Sequence, residues 1–188
     1  MAIETEKKYR LNKTRRPKII ARLKELGAEF MREDFEENYL HRGGLLDDRN
    51  AVLRLRKIGD TAILTYKERL RGGDGGGTGG DEDVKQKIEF ETQVADVDAI
   101  ENIIEKLGYR INVIYEKRRQ TWHFDKVEVV MDDLPFGLYM EIEGTIEDIA
   151  EAEKLLEIED LEPEPRGYPR LAAKFGKQNG KVFEARFD

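Results

Sequence analysis

At 188 residues, with 39% hydrophobic and 39% charged residues, the chain fits one domain of ordinary size that has a core but carries an unusually charged interior or surface. The absence of cysteine excludes disulfides and thiolate metal sites, and a net charge of -7 argues against broad nucleic-acid binding, which needs a basic surface to displace counterions. The N-terminus lacks the apolar stretch of a secretion signal and no run approaches the roughly 18 apolar residues of a membrane span, so a cytoplasmic protein with neither nucleic-acid nor membrane partners is expected.

The first predicted strand, IETEKKYRL at 3–11, alternates with period two and puts Glu4, Glu6 and Lys8 on one face, with Ile3, Thr5, Lys7 and Tyr9 on the other. TRRPKIIARLKELGA then reads as a helix, with Pro17 near its start, Ile19, Ile20, Leu23 and Leu26 on helical spacing, and Gly27 as its stop. VLRLRK alternates Val52, Leu53 and Leu55 with Arg54 and Arg56, and AILTYKE ends with Lys67. RGGDGGGTGGDED at 71–83 lacks the Gly-Lys-Ser/Thr ending of a phosphate-binding loop and reads as a flexible connector between strands. KQKIEFETQV sets Lys85, Lys87, Glu89 and Glu91 against Ile88, Phe90 and Val94. DVDAIENIIEKLGYR repeats the helix design, with Asp96 or Asp98 as cap and Gly108 at its end. VIYEKRRQTWHF carries Lys117 and Arg119 on one parity and Trp122 as a packing residue, and LYMEIEG opposes Glu141 and Glu143 to Leu138, Met140 and Ile142. A third helix, TIEDIAEAEKLLEIED, is capped by Thr145, and EPEPRGYPR at 162–170 reads as a turn-rich connector to a short terminal helix. His41 and His123 are isolated and show no zinc spacing.

Antiparallel strands with one apolar and one charged face, interrupted by amphipathic helices, read as a meander or barrel in a single domain over 1–188. IETE at 3–6 matches IEFE at 88–91, each followed by a helix ending in Leu-Gly and by strands with paired bases, which divides the chain into two related halves, about 1–84 and 85–188. Helices outside would cover the apolar strand faces and turn the charged faces inward. Uncompensated buried charge costs several kcal/mol per group. The inward set therefore needs mutual pairing, or a water-filled tunnel that takes a polyanion on its bases and divalent metal on its glutamates. For any one of these residues a solvated surface ion pair is the plainer reading.

The Glu-x-Glu-x-Lys of IETEKKYRL resembles the signature of the CYTH superfamily, the triphosphate tunnel metalloenzymes, which include class IV adenylyl cyclases, thiamine triphosphatases and inorganic triphosphatases. AVLRLRK, LTYKE, KIEFE, EKRRQTW and DDLPFGLYMEIEG occur in the family order across about residues 3–143. The resemblance implies an α+β fold built on a closed antiparallel β-barrel, with a charged lumen and helices packed outside. It implies Glu4, Glu6, Glu141 and Glu143 as ligands for Mg2+ or Mn2+, and Lys8, Arg54, Arg56, Lys67, Lys117 and Arg119 as triphosphate-binding residues. Lys87 joins the binding set through its parity. Lys8, Arg56 and Glu143 are assigned to the chemical step. Glu89 and Glu91 would hold metal or orient the bases, Asp132 matches an acidic family position, and Lys174 in GYPRLAAKFG is the candidate for a basic residue near the C-terminus. The implied activity is divalent-metal-dependent hydrolysis of a triphosphate-bearing small molecule, whether inorganic, nucleoside or thiamine triphosphate. Cyclisation of ATP to cyclic AMP and pyrophosphate, and a noncatalytic polyphosphate- or nucleotide-binding module, stand as alternatives. A homodimer is left open.

Overall fold

The computed structural model describes the backbone of residues 2–69 and 85–188 and the side chains of 5–68 and 88–188. The glycine-rich stretch at 71–83, and the side chains of Glu4 and Lys87, lie outside the described residues.

The chain runs β1 (Ala2–Leu11), α1 (Arg15–Glu25), β2 (Glu29–Arg42), α2 (Leu45–Asp48), β3 (Ala51–Ile58), β4 (Thr61–Arg69), β5 (Lys85–Val94), α3 (Val97–Lys106), β6 (Arg110–Phe124), β7 (Val127–Leu134), β8 (Gly137–Glu143), α4 (Ile146–Leu155), α5 (Tyr168–Phe175), β9 (Lys177–Asn179) and β10 (Val182–Ala185). The described strands form one sheet in the order β2-β3-β4-β5-β1-β8-β7-β6-β10-β9, antiparallel except where β10 runs parallel to β6. β6 also pairs with β2, from Glu29 opposite His123 to Arg42 opposite Arg110. The α+β reading holds: the sheet is mostly antiparallel and the helices interrupt it where the periodicity placed them.

The predicted helix signals act as expected. Asp96 and Thr145 accept backbone N–H bonds at the starts of α3 and α4, at 2.9 and 3.1 Å. Before α1, Asn12 Oδ1 accepts the N–H groups of Thr14 and Arg15 at 3.0 and 2.7 Å. Gly27 and Gly108 end their helices at φ +79° and +91°, a backbone that glycine adopts without the Cβ penalty.

The principal core lies on the apolar face of the sheet. Ile19 and Leu23 of α1 and Ile149 and Ala152 of α4 pack with Trp122, Val129, Met140 and Ile142. That arrangement leaves the opposite parity of the same strands to the charged residues. Among the described residues no helix is long and apolar enough to cross a membrane.

Several stretches depart from the sequence reading: α2, β7, β9 and β10 fall where no element was assigned, and two further departures bear on the site. EFMREDFEENYLHR, which was assigned no element, is the 14-residue strand β2. Its five acids weaken any apolar alternation, and pairing with both β3 and β6 supplies the backbone bonds that local propensity does not. The connector read at 162–170 is shorter than expected, because α5 begins at Tyr168 with Gly167 as cap and Pro169 in its first turn, where a missing N–H breaks no helical bond. Before α5, Glu164 donates its N–H to the Lys8 carbonyl at 2.7 Å, tying the segment to β1.

Candidate functional site

A cavity of about 1120 Å³ collects the charged strand faces. Glu6 and Lys8, Arg54 and Arg56, Lys67, Glu89 and Glu91, Lys117 and Arg119, and Glu141 and Glu143 all line it. Period-two alternation on six antiparallel strands suffices to bring these residues together.

On the wall formed by β1, β6, β7 and β8, Lys8 Nζ lies 2.9 Å from Glu141 Oε1, and Arg119 reaches Glu141 Oε2 at 2.7 Å. Arg119 also makes a two-pronged contact with Asp132, its Nε donating to Oδ1 at 2.7 Å and its Nη2 to Oδ2 at 2.5 Å. Asp132 is fully buried and stands behind Arg119; it is absent from the cavity lining. The Tyr168 hydroxyl donates to Asp132 Oδ2 at 2.7 Å, and the Tyr168 ring lies 3.7 Å below Lys8 Nζ and 5.6 Å from Lys117 Nζ. One aromatic side chain on α5 thus touches the groups that hold three of the cations in place.

On the wall formed by β3, β4 and β5, Arg54 and Arg56 each reach Glu91 Oε1 at 3.2 Å. Thr65 donates its hydroxyl to the same oxygen at 2.6 Å. Lys67 pairs with Glu89, which also lies 3.6 Å from Arg54. Glu89 and Glu91 therefore sit as partners of the bases in this structure.

The wall that the sequence reading missed comes from β2. Glu36 is buried to 2% exposure, 3.3 Å from Lys117 Nζ and 3.8 Å from Arg56, and it links the two basic walls. Burial alone would raise its pKa, but Lys117, then Arg119, Arg56 and Arg54, hold it down to about 2. Burial, reinforced by Arg119, pushes Lys117 down to about 8, with Asp132 and Glu36 opposing. Glu143 titrates above its ordinary range because it is buried and faces Glu128 and Glu6, with Lys67 only partly compensating. Glu6, Glu143 and Glu128 stand in one row, Glu6 opposite Glu143 on β1 and β8, and Glu128 opposite Glu143 on β7 and β8. Glu128 lines the cavity and was also missed; the alternation of VEVVMDDL, with acids on only some inward positions, is its faint signal.

Other assigned residues fall elsewhere. Lys174 is exposed on α5, 5.1 Å from the ring of Phe175 and outside the cavity lining, whereas Arg170 on the same helix does line it. Glu4 is opposite Lys87 in the β1–β5 backbone register, and the side chains of both lie outside the described residues. Trp122 is buried in the core, and His41 is buried while His123 is exposed.

The chain was compared with known families, curated proteins and solved structures. The family model described as CYTH domain matches residues 2–169. A Methanocaldococcus jannaschii protein provisionally named an adenylate cyclase is 30% identical over 158 residues, covering 82% of this chain and 84% of the relative. A solved Pyrococcus horikoshii protein shares the fold with a TM-score of 0.73 at 23% identity, over 89% of this chain and 98% of that one. A Hippeastrum adenylyl cyclase candidate, described as revealing a dominant triphosphatase activity, matches with a TM-score of 0.66 at 15% identity, over 92% of this chain and 94% of that one.

Proposed function

Because the chain belongs to the CYTH domain family, we propose that its cavity binds a triphosphate-bearing small molecule and, with a divalent cation, hydrolyses it. The observation that carries this reading is the convergence of Lys8, Arg54, Arg56, Lys117 and Arg119 from three strands on one cavity that has a row of carboxylates in the same wall. A triphosphate bears about four negative charges, and planar guanidinium groups match its oxygens two at a time. The β6–β2 pairing supports reading the enclosure as a closed barrel with the substrate in its lumen.

The donor set fits a hard cation such as Mg2+ or Mn2+, since carboxylate oxygens are its natural ligands. Among the described residues no three carboxylate or imidazole groups form a ready-made cage. Glu6 and Glu143 would hold the cation, and the mutual repulsion that raises the Glu143 carboxyl is what a bound cation would relieve. Glu141, engaged by Lys8 and Arg119, would join them only by leaving those partners. A cation held there would supply positive charge that offsets charge developing on the phosphate oxygens. Arg54, Arg56, Lys117 and Arg119 hold the chain of phosphates extended, which presents the terminal phosphorus for in-line attack by water, while Lys8 neutralises charge that develops on the oxygens beside it.

Cyclisation stands as a second reading because the Methanocaldococcus relative carries the adenylate cyclase name. The triphosphatase activity described for the Hippeastrum neighbour supports hydrolysis on the same fold. Incubation of the purified protein with tripolyphosphate, and separately with ATP, under Mg2+ and under Mn2+ separates the two. Orthophosphate from either substrate, without cyclic nucleotide, is expected. Cyclic AMP and pyrophosphate in equal amounts, with tripolyphosphate untouched, would overturn hydrolysis in favour of the cyclase.

A further inference from the structure

Among the charged walls of the cavity lie smaller patches of different chemistry. The carboxylate row Glu6–Glu143–Glu128 lies where β8 ends and β7 begins. Where β2 finishes and β3 and β6 start, Leu40, Val52 and Val113 form an apolar patch in the lining, with Arg42, Asp47 and Asn50 around it and Pro169 and Ala173 of α5 in the same lining. Leu40 is opposite Arg54 in the β2–β3 register, so this apolar surface adjoins the phosphate-binding bases directly.

The β6 strand is irregular beside this patch. Leu40 pairs with Val113 but His41 pairs with Ile111, which leaves Asn112 as an extra residue between them. In a regular strand, consecutive side chains point to opposite faces, yet Asn112 and Val113 both line the cavity. A bulge of this kind re-aims one side chain at the cost of a ladder bond. The re-aimed group is a carboxamide whose Oδ1 is buried and has no hydrogen-bond partner among the described residues. A buried carbonyl oxygen left unsatisfied is costly, and here it stands beside apolar side chains in the wall of an open cavity.

We propose that this patch seats a flat heteroaromatic ring carried by the triphosphate, with Asn112 Oδ1 accepting a hydrogen bond from the ring's exocyclic amine. The ring packs on Leu40, Val52 and Val113, and its phosphates run from there onto Arg54 and Arg56. Asn112 is then a specificity-determining residue that favours an aminated base over inorganic triphosphate. The proposal rests on the triphosphate reading of the same cavity. Two sources supply the required chemistry, an amino-bearing nucleobase and the aminopyrimidine of thiamine.

Calorimetric titration without divalent cation, so that nothing turns over, tests it with four ligands: tripolyphosphate, ATP, thiamine triphosphate, and ITP, whose ring carries an oxygen in place of the adenine amine. The wild type is expected to bind ATP or thiamine triphosphate about tenfold more tightly than ITP, the scale of one hydrogen bond. The source of the amine is whichever of the two binds more tightly. Asn112→Leu should erase that preference and leave tripolyphosphate binding unchanged; Asn112→Ala repeats the test should leucine disturb the bulge. Asn112→Asp, which has the same shape and still accepts, should retain it. Equal affinity of the wild type for both aminated ligands and ITP, or a preference that survives in Asn112→Leu and Asn112→Ala, would overturn the ring seat alone. Failure of the wild type to bind tripolyphosphate would overturn the triphosphate reading and the ring seat with it.

Discussion

Replacing Asp132 by asparagine should destabilise the fold by about 3 kcal/mol. The carboxylate is fully buried and accepts two bonds from Arg119, at 2.7 and 2.5 Å, and one from Tyr168, at 2.7 Å, with Lys117 3.8 Å away. An asparagine keeps the shape but has one acceptor oxygen, so its NH2 must face a donor of Arg119 or Tyr168. Breaking a buried ion pair by neutralising one partner costs about 3–5 kcal/mol, because the other charge stays buried. Arg119 keeps Glu141 at 2.7 Å, which argues for the low end of that range. For a domain of this length a loss of about 3 kcal/mol lowers the melting temperature by about 6–12 °C. Urea denaturation at neutral pH gives the free energy, and thermal melting gives the temperature. A variant within about 0.5 kcal/mol of wild type, the range of ordinary surface substitutions, would show that the Arg119–Asp132–Tyr168 contacts do not depend on the carboxylate charge.

Glu143→Gln should abolish cation-dependent turnover while the protein stays folded by circular dichroism, since it removes an anionic oxygen without changing volume; unchanged turnover at limiting Mg2+ would remove Glu143 from the cation site. Arg54→Ala or Arg56→Ala should weaken tripolyphosphate binding by about 1.5–3 kcal/mol in calorimetry, the scale of a charge-assisted contact, and equal binding would show that the arginine does not touch the anion. The two buried titratable groups both make stability rise with pH, in separate windows and for different reasons. Glu36 has its folded pKa lowered to about 2 from 4.5, so its stabilisation is present above the unfolded value and is lost as pH falls between them; Glu36→Gln should flatten acid unfolding in that window. Lys117 has its folded pKa lowered to about 8 from 10.5, so the fold disfavours its charged form and gains stability as pH rises through that interval. Tripolyphosphate affinity should meanwhile fall above pH about 8 as the ammonium is lost, and Lys117→Met should remove that slope; an identical slope in the variant would assign it to another group.

The parity of the strands made much of this site legible. Alternation alone put Glu6, Lys8, Arg54, Arg56, Lys67, Lys117, Arg119, Glu141 and Glu143 on common faces, and all of them line the cavity. What alternation cannot specify is the partner across the cavity. Glu36 was invisible because β2 is too acidic to read as a half-buried strand, although burial is what gives Glu36 its strong coupling to Lys117. Tyr168 was hidden for a different reason: it follows Pro163, Pro165 and Gly167, so the local signal is a turn, while its contacts with Asp132, Lys8 and Lys117 are all distant in sequence. The bulge at Asn112 depends on how β2 and β6 pair, and no period in either strand announces it.

The internal pairing of the bases has a consequence for selectivity. Lys8 and Arg119 hold Glu141, Arg54 and Arg56 hold Glu91, Lys67 holds Glu89, and Lys117 lies between Glu36 and Asp132. An arriving anion does not meet bare cations; it must exchange with carboxylates already in place. A monoanion would trade one carboxylate contact for another of similar strength and gain little. A triphosphate replaces several contacts at once from a single molecule, so one loss of translational freedom is set against many charge-assisted bonds. On the proposed reading, the carboxylates it displaces would lose their partners in a confined cavity, and a divalent cation arriving with the phosphates would restore their compensation. Substrate and cation should therefore bind cooperatively, each relieving the charge imbalance the other creates. The same carboxylates that stabilise the empty site against basic self-repulsion would thus favour an anion dense enough to displace them.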